Sequence, residues 1–467
     1  MIAMLPMFGT LGLVIGLAIA AGNGSEHVSA IFVAMGGGLI VSWLAKKVAN
    51  DEDRLWLPTY IMGGYTAKIL ASWMRWWVLV DYYNGSGDAV VYHNRGILNA
   101  ELWRSFDPPP LGIGTEAMEG VSGLVYIFYA PNFLGGFFMF ATLAFFGQLL
   151  LYSAFRTTVV PRRLKLYALA IFFVPNVVYW PSSPGKESIM MLGLGMSAYG
   201  VSKLLAKGSL QALVPIGAGL VISGIIRPHV SAMQIAAATL ALLFAKRGAG
   251  VAQFPAKRLF LLGLVGAGLA ATISIAAANF GISLDDTSAI DSQVNNLLDT
   301  VEEQTEQGGS SVSGSFISSP AEFPEVFVRV LFRPLPTEAH NGPALAASLE
   351  GTLLLAILLW RLPWILRRGL RVRRDPYILF SLFFIIGFVI AFSSFLNLGL
   401  MARERSMVMP YVLALVVALG FGPPDDFEED ADVEKAKVEG VEALLLGSAP
   451  AAPADSTVHG EAEPVAL

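Results

Sequence analysis

The residues best suited to chemistry in this chain lie in five short stretches, each between two apolar segments. The first contains Asp88, His93 and Arg95 within eight residues. The carboxylate of Asp88 is suited to act as a general base on a sugar hydroxyl, and His93 can do the same near neutral pH. The guanidinium of Arg95 can hold two phosphate oxygens at once. The alternative interpretation is a polar interfacial loop whose side chains hydrogen-bond only to one another.

The second stretch, Trp180-Pro181-Ser182-Ser183-Pro184-Gly185-Lys186-Glu187-Ser188, opens an apolar segment. Ser182 or Ser183 is suited to cap the helix that follows, which puts Lys186 and Glu187 in its first turn. A helix N-terminus presents N–H groups and favours anions, so a lysine there is unfavourable unless an anion binds. This pattern predicts a phosphate-binding role for Lys186 and Glu187. The alternative is that both pair with charged residues elsewhere in a helical bundle.

Three further stretches place cations at the ends of apolar segments. They contain Arg227 and His229, Arg333 and His340, and Arg403 and Arg405. We predict that all six bind substrate, with the arginines converging around a diphosphate. The alternative for Arg227 is that its side chain extends to lipid headgroups. Glu350 lies within the apolar segment after His340, where an acid usually faces a partner or a polar cavity.

The elements that must position these residues are hydrophobic helices. Hydrophobic residues make up 55% of the chain and charged residues 14%, whereas about a quarter of the residues in a soluble domain are charged. Segments of near twenty apolar residues match a hydrocarbon core of about 30 Å. The predicted spans are roughly 3–22, 28–45, 56–80, 132–155, 164–180, 188–206, 209–226, 229–245, 259–280, 344–362, 376–398 and 406–422. We therefore expect an all-α integral membrane protein with about 12 transmembrane helices in one bundle, residues 1–422.

The distribution of basic residues predicts the orientation of this bundle. With the N-terminus in the cytoplasm, the inner loops hold nineteen lysines and arginines and the outer loops eight. Positive charge favours the cytoplasmic side, so both termini are expected there and the chain is expected in the inner or plasma membrane. Two long outer loops, about 81–131 and 281–343, then face the outside. All five stretches that contain the candidate site residues are predicted to lie on that outer side.

Several features exclude other classes of site. The chain has no cysteine, which excludes disulfides and thiolate metal sites. It contains no phosphate-binding P-loop and no convincing dinucleotide fingerprint, so we predict no nucleotide cofactor and no nucleic-acid partner. Asp285, Asp286 and Asp291 are candidate ligands for a divalent cation, although such loop acids are more often solvated. Residues 423–467 are acidic and rich in Ala, Pro and Ser, which predicts a disordered cytoplasmic tail.

Three short motifs carry a resemblance to a known family. The first is a Pro-containing segment that ends in an aromatic, Ser-rich turn with Lys-Glu, residues 175–187. The second is Arg333-Pro334 before a segment that bears Glu350. The third comprises Asn397, Gly399, Arg403, Arg405 and Pro410. Over most of residues 55–422 the chain resembles the bacterial polytopic O-antigen and exopolysaccharide polymerases and, more distantly, the GT-C glycosyltransferases.

The resemblance implies a polyprenyl-diphosphate-linked sugar as donor, bound at the outer membrane face through arginines, and a glycan as acceptor. Asp88 would then be the base, although GT-C enzymes usually carry an acidic loop with paired acids after the first span, and this chain has its acidic loop after the third span, without the pair. Partners in envelope assembly are also expected. Two other functions stay open, a lipid-linked glycan flippase or other 12-helix transporter, and an assembly scaffold without catalysis. The enzyme requires the outer cations to line one cavity.

Overall fold

The computed structural model describes residues 24–50, 53–129, 131–157, 163–244, 319–369, 375–395 and 397–421, together with four isolated helical positions. All seven ranges belong to one compact unit, residues 1–421. The predicted tail, residues 423–467, lies outside the described residues, as do the candidate cation ligands Asp285, Asp286 and Asp291.

The described residues form fifteen α-helices, numbered in chain order: α1 (Gly24–Val48), α2 (Leu57–Trp77), α3 (Asp88–Arg104), α4 (Thr115–Val125), α5 (Phe133–Arg156), α6 (Leu164–Phe173), α7 (Pro175–Tyr179), α8 (Lys186–Lys207), α9 (Leu213–Ile226), α10 (Pro228–Phe244), α11 (Phe323–Phe332), α12 (Gly342–Arg368), α13 (Pro376–Ala391), α14 (Leu398–Glu404) and α15 (Met409–Leu415). No strand occurs in these ranges. The expected all-α class is therefore confirmed for the described part of the chain.

The number of helices that can cross a membrane is lower than the sequence predicts. Four described helices are long and apolar enough by length and composition: α1 from Val28, α5, α8 and α12. Five more apolar helices contain 10–17 residues. The prediction of twelve spans is therefore corrected. The segments 3–22 and 259–280 lie outside the described ranges apart from the four isolated positions, and the segment 164–180 is two helices because Pro175 interrupts it. The apolar helices are compatible with a membrane protein.

Glycines bring the central helices close together. A methyl group on Gly147 of α5 would collide with the backbone of Met191, and one on Gly195 of α8 would collide with the backbone of Gly147. Gly219 of α9 meets α8 in the same way at Ser197. Small residues at such crossings allow the backbones of membrane helices to approach. This packing fixes α8, whose first turn carries Lys186 and Glu187.

Polar side chains in the core replace hydrogen bonds that prolines remove. Pro175 has no N–H for the carbonyl of Ile171, four residues earlier, and Gln148 Nε2 donates to that carbonyl at 2.9 Å. Pro181 likewise has no N–H for the carbonyl of Val177, and this carbonyl accepts from Lys68 Nζ at 3.1 Å. Backbone groups in a membrane interior must be satisfied by the protein itself. The broken segment α6–α7 is therefore held by side chains of α2 and α5.

Two more residues on the same face of α2 complete this arrangement. Ser72 Oγ donates to the carbonyl of Ser182 at 2.8 Å, and Arg75 Nη1 donates to the carbonyl of Trp180. Lys68, Ser72 and Arg75 are four and three residues apart, so they line one side of the helix. That side fixes the turn that leads into α8.

Candidate functional site

Charged residues from four separate parts of the chain meet in one ionic cluster. The ionic cluster consists of Asp88, Glu187, Arg227, Arg403 and Glu404. Glu187 Oε1 accepts from Arg403 Nε at 2.7 Å and from Arg227 Nη2 at 3.2 Å. Arg227 also pairs with Glu404 through both terminal nitrogens, with Nη2 to Oε1 at 2.7 Å. Arg403 Nη1 lies 3.3 Å from Asp88 Oδ2.

Helix ends deliver each member of the ionic cluster. Asp88 and Glu187 stand in the first turns of α3 and α8, where an acid interacts favourably with the helix dipole. Arg227 occupies the single-residue connection between α9 and α10, and Pro228 starts α10 because that position needs no N–H donor. Asn397 caps α14 by accepting from Leu400 N at 2.9 Å, and this short helix ends at Arg403 and Glu404.

Burial divides the ionic cluster into a closed interior and an open side. The side chains of Glu187 and Glu404 are 1% and 2% exposed, and those of Arg227 and Arg403 are 12% and 22% exposed. Asp88 is the exception, since 61% of its side chain is exposed. The neighbouring Glu187 carboxylate raises the pKa of the Arg403 guanidinium above its ordinary value. Arg403 therefore stays charged, and Asp88 is the carboxylate on the solvent side.

Further cations lie close to the ionic cluster. Arg75 interacts electrostatically with Glu187, Arg403 and Asp88. Lys186 interacts with Arg227 and Arg403, and its Nζ donates to Thr115 Oγ1 at 3.1 Å. Four cations therefore face three carboxylates, and the surroundings favour an additional anion.

An apolar groove of about 310 Å³ runs along α6, α12 and α15. Its walls are aliphatic and aromatic, and Pro175 and Phe332 belong to them. Asn176, next to Pro175, donates from Nδ2 to the carbonyl of Ala402 at 2.8 Å. Ala402 directly precedes Arg403. The groove therefore shares an anchored backbone with the helix that carries Arg403 and Glu404.

Arg405 has a different position from Arg403. It is fully buried, and it donates from Nη1 to the carbonyl of Arg333 at 3.1 Å and from Nη2 to that of Ala347 at 3.2 Å. Arg333 itself forms an ion pair with Glu338, with Nε to Oε2 at 3.0 Å. These hydrogen bonds with Arg333 lower the pKa of Glu338 below its ordinary value. Arg333 and Arg405 thus join α11, α12 and α14 to one another and are not members of the ionic cluster.

Among the described residues, the three predicted histidines and Arg95 form no hydrogen bond or ion pair with the ionic cluster. His93 is buried, its Nδ1 is 3.0 Å from the hydroxyl of Tyr126, and burial lowers its pKa to about 4. The ring of His229 packs against Phe392 at 5.7 Å between centroids. Arg95 and His340 are exposed. The structure therefore brings together Asp88, Lys186, Glu187, Arg227 and Arg403 among the predicted residues.

Glu404 was not among the predicted site residues, and no partner was predicted for Glu350. Glu404 lies between two predicted arginines, and that Arg-Glu-Arg order at the start of an apolar segment was the available signal. Glu350 Oε1 accepts from the backbone N–H of Asn176 at 2.6 Å, so it caps the start of α7. This contact accounts for an acid inside an apolar helix.

No group of three or more His, Asp or Glu side chains suited to a metal ion occurs in the described residues. No family model, no curated protein and no solved structure matches the chain.

Proposed function

We propose that the chain transfers or polymerises sugars outside the cytoplasm, taking them from a polyprenyl-diphosphate-linked donor to a glycan acceptor during envelope polysaccharide assembly. The observation that carries this proposal is the meeting of Arg227 and Arg403 on Glu187, with Arg75 and Lys186 nearby. Two partly exposed arginines that share one carboxylate suit the planar, bidentate recognition of phosphate oxygens. A diphosphate is a good leaving group and needs no nucleotide at the site.

The ionic cluster supplies the two functions that such a transfer needs. The acceptor hydroxyl oxygen forms a bond with the anomeric carbon while the bond from that carbon to the diphosphate oxygen breaks. The bonding electrons leave with the diphosphate, whose developing charge Arg227 and Arg403 stabilise. The hydroxyl proton goes to Asp88, the exposed carboxylate beside Arg403. In this proposal Glu187 and Glu404 hold the two guanidiniums in place.

The apolar groove supports a lipid-linked donor. A polyprenyl tail needs an apolar surface that continues into the bilayer, and the groove along α6, α12 and α15 offers one. The proposal places the ionic cluster at the outer face, with both termini in the cytoplasm. The basic residues of the inner loops support that orientation.

A transporter or flippase receives less support from the same contacts. Such proteins use ionisable groups near the midplane for substrate or ion coupling. Lys68 and Glu350 are the intramembrane candidates, and each is engaged with backbone: Lys68 with the carbonyl of Val177, and Glu350 with the N–H of Asn176. Their contacts match helix caps better than a transport pathway.

A cellular experiment tests the proposal against the flippase. Arg227→Gln and Arg403→Gln are compared with Arg95→Gln, an exposed arginine outside the ionic cluster, at equal expression in cells that depend on the chain for polymer. We expect the first two to stop polymer growth and leave lipid-linked sugar units on the outer leaflet. Arg95→Gln keeps the polymer. Accumulation on the inner leaflet would identify a flippase and contradict the proposal.

A further inference from the structure

The hairpin of α3 and α4 carries two phenylalanines with almost no protein contact. Phe106, just after α3, is 95% exposed, and Phe128, just after α4, is 97% exposed. Burial of a phenylalanine side chain stabilises a fold, and neither residue gains this stabilisation from the described fold. Two such side chains near each other indicate a surface that something apolar covers.

The backbone at Phe106 makes this exposure more unusual. Asp107 N donates to the carbonyl of Leu102 at 3.1 Å, and Phe106 N donates to that of Trp103 at 3.3 Å. This is the Schellman pattern, in which the residue after the C-cap adopts the left-handed conformation and is usually glycine. Phe106 has φ 58°. A bulky residue there is strained, so the chain places phenylalanine at a position that favours glycine and then leaves it exposed.

Arg104 joins the two phenylalanine segments. Its Nε donates to the carbonyl of Ile127 at 2.7 Å and its Nη2 to that of Tyr126 at 3.0 Å. Phe106 is two residues after Arg104, and Phe128 is the residue after Ile127. The segments that carry Phe106 and Phe128 therefore both lie beside the Arg104 guanidinium.

Tyr129 shows where the segment that carries Phe128 lies relative to the helices α1 and α5. Tyr129 lines an outward groove between α1 and α5, together with Phe32, Ile40 and Phe146. All three of these side chains are apolar and exposed or half-buried, and they lie on helices that are long enough to span a bilayer. Phe128 precedes Tyr129, so the exposed rings continue the apolar surface of α1 and α5.

We propose that Phe106 and Phe128 insert into the boundary between the lipid headgroups and the acyl chains, and anchor the α3–α4 hairpin to the bilayer. The occupant of this surface is lipid, because the patch adjoins the open apolar groove of α1 and α5, two helices long enough to span a bilayer, and is flanked by an arginine. Aromatic residues with a neighbouring cation are typical of that interface. The anchor fixes α3, which begins at Asp88. This inference stands independently of the proposed function.

The absence of cysteine in the chain allows a direct test. Phe106→Cys and Phe128→Cys, each labelled with an environment-sensitive fluorophore, are reconstituted in lipid nanodiscs. The matched control is Glu116→Cys, an exposed residue in the first turn of α4. We expect quenchers carried on lipid headgroups or upper acyl carbons to quench the probes at 106 and 128 several-fold more than the probe at 116. Soluble iodide should give the opposite order.

Two outcomes would overturn the proposal. If iodide quenches all three probes equally, the phenylalanines face water. If the probes at 106 and 128 are protected from both quenchers, protein covers the patch. A second variant separates anchoring from folding: Phe106→Gly relieves the left-handed strain and should keep or raise the Tm in detergent. In nanodiscs it should reduce lipid quenching of the probe at 128.

Discussion

The exposure of Asp88 at the ionic cluster leads to a prediction about diphosphate binding. Its carboxylate contacts Arg403 at 3.3 Å and is 61% exposed, whereas Glu187 and Glu404 are almost fully buried. An incoming diphosphate can displace Asp88 far more easily than the other two. Under the proposed function, Asp88 occupies the position on Arg403 that a phosphate oxygen of the donor would take. Asp88→Asn should tighten the binding of a diphosphate although it removes the proposed base.

The magnitude follows from the geometry. An exposed ion pair of this kind contributes about 0.2–1 kcal/mol, which the diphosphate no longer has to displace. Removing a negative charge roughly 4 Å from the bound anion relieves a repulsion of about 1 kcal/mol in water. The two effects together give about 1–2 kcal/mol, which corresponds to a Kd roughly five- to thirtyfold lower. The gain should shrink at high salt because the repulsion is screened.

Titration calorimetry with inorganic pyrophosphate on the purified chain measures this Kd at low and high salt. The matched control is Asp107→Asn, an exposed carboxylate in the turn after α3, for which no change is expected. Asp88→Asn should also lose glycosyl transfer while it binds pyrophosphate more tightly. Weaker or unchanged binding by Asp88→Asn would refute the reasoning, since Asp88 would then not compete with the anion for Arg403.

Three further predictions concern stability and folding of the purified chain in detergent. Gln148→Leu removes the donor to the carbonyl of Ile171 and should cost about 1–3 kcal/mol in unfolding free energy; adding Pro175→Ala, which restores an N–H to that carbonyl, should recover part of the loss. The pKa of His93 is lowered from 6.5 to about 4 by burial, so its unfolded form binds the proton first; stability should fall as pH drops from 6.5 to 4, and His93→Gln should flatten that slope in thermal unfolding. Arg405→Lys cannot donate to the carbonyls of both Arg333 and Ala347 with the same geometry, and it should lower the Tm more than Arg95→Lys.

The grouping of Asp88, Glu187, Arg227 and Arg403 could be anticipated because each stands at the same predicted end of an apolar segment. Alternating spans bring alternate ends to one face, whatever the distance in sequence. The roles of these residues stay predictions. The division between Arg403 and Arg405 could not be anticipated from hydropathy, although residues two apart in a helix do not share a face. Arg403 meets the ionic cluster, and Arg405 meets backbone carbonyls of other helices.

The contacts of the buried polar residues could not be predicted from the sequence. Lys68 and Gln148 are matched to carbonyls that Pro181 and Pro175 leave open, and such a match exists only once the helices are packed. The expectation of twelve spans failed for a related reason. Hydropathy marks 164–180 as one span, but a proline divides it into two short helices whose backbone is satisfied by neighbours.

The most direct test of the central claim is the release of polyprenyl diphosphate from a lipid-linked sugar donor by the purified chain in nanodiscs. We predict release with the unaltered chain, and a reduction of at least about a hundredfold for Arg227→Gln and for Arg403→Gln, because each removes a cation from the leaving group. Arg95→Gln should release the carrier at the unaltered rate. Equal release by the chain and by both cluster variants would contradict the claim that these arginines bind the departing diphosphate.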